Sequence, residues 1–166
     1  MSELKRQLHT IPPVYDSDSR ILILGSFPSV KSREYGFFYG HPQNRFWRVL
    51  AFVCGCEIPE SIEDKKQLLI SNHIALWDVI GECDIIGSSD SSITGAVPND
   101  IGMILGSCDI RAVFTNGKTA DKLYRKHLLP VHGRDALCLP STSPANASWS
   151  FERLCGEWRI ICDKIS

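Results

Sequence analysis

Short apolar runs alternate along the chain with stretches whose apolar positions recur every three or four residues. Ile21 to Leu24 is an apolar, β-branched run that stops at Gly25, the pattern of a buried strand ending in a tight turn. Runs at 74–79, 110–115 and 136–139 have the same character and supply three more strands. Phe46, Trp47, Val49, Leu50 and Phe52 form the stripe of a helix over about 44–54, with Asn44 able to cap its start. Ile62, Leu68 and Leu69 give a second helix over about 59–72, opened by Pro59 and Glu60. Pro98 and Asp100 open a short helix ending near 106–107, and further helices cover about 118–128 and 146–165. Residues 1–19, punctuated by Pro12-Pro13 and by Asp16 to Ser19, read as a lead-in. The segment 83–101 is the least regular, and its polar run Gly87 to Ser92 reads as a loop. Strands alternating with helices require right-handed crossovers, so the pattern predicts an α/β fold. The expected form is a three-layer α/β/α sandwich around a central four-stranded parallel sheet, a single domain over 1–166 with no repeat or internal linker.

Composition narrows this picture little. The chain has 166 residues, 43% apolar and 22% charged, which is globular and long enough for one substantial core. A net charge of −1 argues against a basic nucleic-acid coat but leaves room for one basic face. Seven cysteines, odd in number, set in apolar runs and without paired CxxC spacing, disfavour disulfides and a zinc site; Cys54 and Cys56 are the only close pair. No apolar stretch suits a signal peptide or a membrane span, so an intracellular, cytoplasmic and reduced protein is expected, away from membranes.

Chemistry concentrates between Ile21 and Trp47. Phe27, Tyr35, Phe37, Phe38 and Tyr39 are interleaved there with Pro28, Gly36, Gly40 and Pro42, followed by His41, Gln43 and Asn44. Aromatics on a stiffened loop at the carboxyl end of a parallel strand build a wall for a flat ligand. The polar residues among them favour a pocket over a loop that only packs the core. Turn amides around Ser26 and Phe27 suit a carbonyl of such a ligand. Asn116, at the end of the third strand, is placed either to donate to a ligand or to serve the turn before Gly117. Lys118, Lys122, Arg125 and Lys126 share a face that reads as solvated charge. Lys31, Arg33 and Arg45 lie nearer the pocket, with Lys31 and Arg45 the candidates for phosphate contact. His9, His73, His127 and His132 show no ligand spacing and receive no function, and His41 reads as pocket wall.

The runs Gly25-Ser26-Phe27-Pro28-Ser29 and Tyr39-Gly40-His41-Pro42-Gln43-Asn44-Arg45-Phe46-Trp47 resemble motif 1 of the uracil-DNA glycosylase superfamily. The match is closest to its hypoxanthine-DNA glycosylase branch, related to the mismatch-specific uracil glycosylases. Leu139 to Asn146 is similar to the superfamily's DNA-intercalating loop, and Leu76 to Ile80 and Asn116 to Lys118 fall where the intervening strand ends should be. The resemblance implies the same α/β/α sandwich and a monofunctional DNA glycosylase that releases a deaminated base, hypoxanthine first, by water attack at the sugar, without cofactor or metal. Its partner would be double- or single-stranded DNA containing a damaged base, met by a monomer.

The resemblance assigns catalysis to Asn44, because several branches carry an Asp or Asn where this chain has Phe27, which cannot hold a water. The residue-level alternative is that Asn44 only caps the helix. Tyr39 falls where relatives stack an aromatic on the flipped base, a contact tolerant of base identity. Asp78 sits where some relatives carry a base-reading Asn. There a carboxylate accepts the N1–H of hypoxanthine and repels the bare N1 of adenine, unless it is a cap or salt-bridge partner. The substrate set is therefore Gly25, Ser26, Phe27, Tyr39, Asp78 and Asn116, and the DNA set adds Ser141, Thr142, Ser143, Pro144, Ala145 and Asn146 to Lys31 and Arg45. The loop hydroxyls suit phosphates, aided by the dipole of a helix starting near Asn146. This loop departs from the family: Ser141 replaces a His that assists the leaving base, and Ala145 replaces a large apolar wedge. The iron–sulfur cysteines of other branches are missing. Three rivals remain: the same fold acting on uracil or mismatched thymine, a doubly wound nucleotide-binding protein without glycosylase activity, and a non-enzymatic DNA-binding module. No GxxxxGK[ST] or GxGxxG follows the first strand, which counts against the second.

Overall fold

Ile21 to Leu24 are wholly buried, and the fold is built around them. The computed structural model describes residues 3–166; Met1 and Ser2 of the expected lead-in lie outside the described residues. The chain runs β1 (Leu4–Leu8), β2 (Ile21–Gly25), α1 (Val30–Tyr35), α2 (Phe46–Cys54), α3 (Ile62–Ser71), β3 (Ile74–Asp78), β4 (Ile80–Ile86), β5 (Ser89–Pro98), α4 (Gly102–Leu105), β6 (Ala112–Asn116), α5 (Lys118–His127), α6 (Leu129–His132), β7 (Leu137–Leu139), α7 (Phe151–Trp158) and α8 (Ile160–Ile165). The parallel sheet has the order β3-β2-β6-β7, with helices packed over it. β2 and β3 are apolar at nearly every position because a parallel strand between helical layers has no wet face. No helix among the described residues is long and apolar enough to cross a membrane.

The four expected strands and the helices at 46–54, 62–71, 102–105 and 118–127 form where the pattern put them. Several expectations fail. The lead-in contains β1, and the segment taken as irregular is the hairpin β4–β5; together they make a second, antiparallel sheet of order β1-β4-β5. These strands carry little apolar signal. β1 has no buried residue, and β5 is mostly polar, with half its positions partly buried and none fully so, and with register shifts against β4. Backbone pairing and surface charge hold them instead: the Arg6 guanidinium meets Glu82 and Asp84 and donates to the Gly95 carbonyl at 2.7 Å. The last helix also differs. Ser150 caps it by accepting from Arg153 N–H at 3.2 Å, so it starts at Phe151, and the dipole expected at Asn146 is absent from that loop.

Several contacts fix the loops above the sheet. The Trp47 indole donates to the Phe38 carbonyl (3.1 Å), and Phe37 stacks on Trp47 at 5.9 Å and 14°. Trp158, fully buried, lies edge-on to Phe46 and donates to the Pro140 carbonyl at 3.0 Å, where β7 leads into the 141–146 loop. Trp158→Ala should therefore destabilise the protein by about 4 kcal/mol, the usual range for deleting a large core aromatic. Urea unfolding measures this, and a loss below about 1 kcal/mol would mean that α7 does not anchor the core as described.

Candidate active site

All four parallel strands deliver residues to one cavity of 370 Å³ at their carboxyl ends: Gly25 and Ser26 after β2, Asp78 from β3, Asn116 from β6 and the Ser141–Ala145 loop after β7. This is the crevice that open α/β sheets use for ligands, and its size suits a small planar molecule. Phe27, Phe38, Tyr39, His41 and Asn44 are part of the remaining wall. Tyr39 is a non-glycine residue in the left-handed region (φ 52°), and its ring stacks on Phe46 at 4.1 Å and 21°. Its hydroxyl is buried without a hydrogen-bond partner among the described residues, and burial, with the charge of Asp78 nearby, pushes the phenol pKa up. Only glycine fits at position 25, because a Cβ there would collide with Asp78 Oδ1 and lie 2.8 Å from Tyr39 Oη.

Two polar residues, Asn44 and Asn116, are joined through Thr142, which is fully buried. Its hydroxyl donates to Asn44 Oδ1 (2.9 Å) and accepts from Asn116 Nδ2 (3.0 Å), while its N–H donates to Asn116 Oδ1 (3.1 Å). Asn44 Oδ1 also accepts from Phe46 N–H at 2.9 Å, so Asn44 does anchor the start of α2. Both lone pairs of that oxygen are engaged, and Nδ2 is the polar atom left without a protein partner among the described residues. Asn116 Nδ2 retains one N–H beyond the one Thr142 takes.

The expected DNA contacts divide. Thr142 is a correction: its hydroxyl and amide are engaged inside the protein, so it braces the site and presents nothing to a phosphate. The Arg45 guanidinium donates to the carbonyls of Asn146 and Trp149 and pins the loop. The Ser141 and Ser143 hydroxyls accept from Ser143 N–H and Ala145 N–H, and both residues line the cavity with Pro144 and Ala145. Asn146 Nδ2 donates to the Ser141 carbonyl. Lys31 is exposed and lies 3.8 Å from Glu34, on the helix that follows the aromatic turn.

Two site residues escaped the sequence reading. His9, set aside there, is buried against Phe27, Phe38 and Trp77, with Nε2 2.7 Å from Asp78 Oδ2. Its Nδ1 accepts from Ile11 N–H (3.3 Å), so Nε2 carries the proton and donates to the carboxylate. Asp90, on the hairpin read as a loop, lines the cavity and accepts from the Ser26 hydroxyl at 2.8 Å. Burial raises its pKa and the Asp78 charge adds to that, while the Ser26 hydrogen bond opposes it. Neither residue has a local signal: a lone His in a polar segment meets Asp78, and an Asp among serines reaches the cavity, only when the antiparallel sheet folds beside it. His9→Ala would leave the Asp78 carboxylate unpartnered among aromatics and should destabilise the protein by about 3 kcal/mol. Equilibrium unfolding tests this; a variant within about 1 kcal/mol of the parent would mean Asp78 has another partner in solution.

Residues 12–161 match the family model of the uracil DNA glycosylase superfamily. A protein of Methanosarcina acetivorans named hypoxanthine DNA glycosylase is 36% identical over 152 residues, covering 90% of this chain and 94% of its own. One of the same name from Methanosarcina barkeri is 32% identical over 137 residues, covering 81% and 85%. The fold superimposes with a TM-score of 0.79 on a solution NMR structure from Methanosarcina acetivorans, described as a candidate uracil DNA glycosylase. That pair is 34% identical, over 93% of this chain and 96% of the other. With the motif residues gathered at one cavity and the match running almost from end to end, the chain belongs to the uracil DNA glycosylase superfamily.

Proposed function

We propose that this protein is a monofunctional DNA glycosylase of base excision repair that hydrolyses the N-glycosidic bond of a deaminated base, with hypoxanthine in deoxyinosine as its substrate. The observation that carries the reading is the buried Asp78 carboxylate, held by His9 at one oxygen and bordering the Tyr39 wall with the other, in a chain whose relatives are named for hypoxanthine release. A base inside a duplex is out of reach, so the nucleotide is flipped into the cavity. There Tyr39 stacks on the ring, and Asp78 accepts from hypoxanthine N1–H, where adenine would present a repelled lone pair. The free N–H of Asn116 and the turn at Gly25 to Phe27 serve the remaining base edge. Asn44 is the catalytic amide, acting through Nδ2 on the attacking water. Ser141, Ser143, Pro144, Ala145, Asn146 and Lys31 face the DNA. The enzyme works as one folded unit and as a monomer, inside the cell and away from membranes, on DNA single- or double-stranded at the lesion.

Incubation with oligonucleotides carrying inosine, uracil or a G·T mismatch should yield abasic sites first and fastest from inosine. Because protein side chains supply every group in this reading, activity should survive EDTA. Release only from uracil would reassign the substrate, and activity lost to EDTA and restored by a divalent ion would overturn the mechanism. Asn44→Ala removes the group that positions the attacking water and should slow single-turnover cleavage on the order of a hundredfold. The lost anchor on α2 should lower stability by about 1 kcal/mol as well. A folded, destabilised variant that still cuts at the parental rate would reduce Asn44 to a helix cap.

A further inference from the structure

Asp90 is the one carboxyl group of the cavity without a task in this reading. It stands on β5, outside the parallel sheet, yet lines the cavity with Ser26, Asp78 and Asn44. Oδ2 accepts from the Ser26 hydroxyl, and Oδ1 accepts from no protein group among the described residues. We propose that Asp90 is the general base, its free oxygen orienting the attacking water and taking its proton. The inference rests on the glycosylase reading.

The cavity offers few other acceptors for that proton. Phe27 has none, and Asn44 Oδ1 already accepts two hydrogen bonds. The hydroxyls of Ser29, Ser88, Ser141 and Ser143 each accept a backbone N–H, and a hydroxyl is a feeble base. Asp78 is committed to His9 and to the base edge. The hairpin tip that carries Asp90 is anchored where this role needs it: Ser88 Oγ accepts from Val30 N–H (2.9 Å), and Arg33 donates to the Gly87 carbonyl (2.7 Å). The groups facing Asp90 are the Ser26 hydroxyl, the Asp78 carboxylate, the Tyr39 phenol and the Cys83 thiol, with no cation paired to it among the described residues. Burial and Asp78 raise its pKa, which makes its carboxylate a stronger base than a solvated one.

In the step, water oxygen bonds to C1′ as the C1′–N9 bond breaks, and that electron pair leaves on the purine. One water proton passes to Asp90. The purine anion takes up that proton, or one from solvent, and departs as neutral hypoxanthine, leaving a 1′-hydroxyl on the abasic sugar.

Asp90→Asn keeps the shape and an acceptor for Ser26 but cannot take a proton. Single-turnover base release from an inosine duplex should fall roughly a hundredfold or more, while affinity for the same duplex by fluorescence anisotropy changes less than about threefold. The parental rate should rise with pH as Asp90 ionises, through a value above the ordinary carboxylate range, and the variant should lose that limb. Ser26→Ala removes the hydrogen bond that favours the ionised form, so in this variant the limb should move to higher pH. An Asp90→Asn enzyme of near-parental rate, one that keeps the acid limb, or a limb unmoved by Ser26→Ala would overturn the assignment. A parent that releases no base from inosine DNA would overturn the glycosylase reading itself, and this inference with it.

Discussion

One buried hydroxyl holds the cavity together. Thr142 joins Asn116 at the end of β6 to Asn44 at the start of α2, and its carbonyl accepts from Arg45 N–H at 3.1 Å. Each bond engages a polar group of the fully buried Thr142, so losing one leaves a buried donor or acceptor with no substitute. The two asparagines thereby hold fixed positions, and the loop after β7 is drawn down over the sheet. Gly117 permits the approach: it adopts φ 97°, and a Cβ there would lie 2.9 Å from Ser141 Cβ. Arg45 and the Trp158 indole clamp the same loop by its carbonyls.

The second constraint is negative charge in a dry place. Asp78 and Asp90 share a cavity walled by Phe27, Phe38 and Tyr39. Burial and the Asp78 charge raise the pKa of Asp90. The proton on His9 Nε2 serves Asp78, and the Ser26 hydroxyl serves Asp90 more weakly. The environments therefore differ: one carboxylate is locked and suited to reading a base edge, the other is left with an open oxygen. Both partners enter from outside the strand to which their carboxylate belongs.

Much of the fold and part of the site were legible in the residues. Buried parallel strands such as Ile21 to Leu24 and amphipathic helices such as the one carrying Phe46, Trp47, Val49 and Leu50 write their burial into sequence. So do a loop dense in aromatics and a strand end at Gly25. The antiparallel sheet was illegible because neither β1 nor β5 has a fully buried residue, and pairing of backbone groups leaves no periodic trace in side chains. The same gap hid His9 and Asp90.

What the sequence alone determined is the order and composition of the parallel core, the polar and aromatic residues at its carboxyl ends, and the family to which they belong. These follow from local periodicity and short motifs, which are properties of neighbours along the chain. Only the tertiary structure decided which polar atoms remain available. It engaged Thr142, Arg45 and Asn44 Oδ1 inside the protein, and it brought His9 to Asp78 and Asp90 to Ser26 across 69 and 64 residues of chain. Hydrogen-bond capacity is filled in three dimensions, so an atom's availability depends on distant segments that no window of sequence contains.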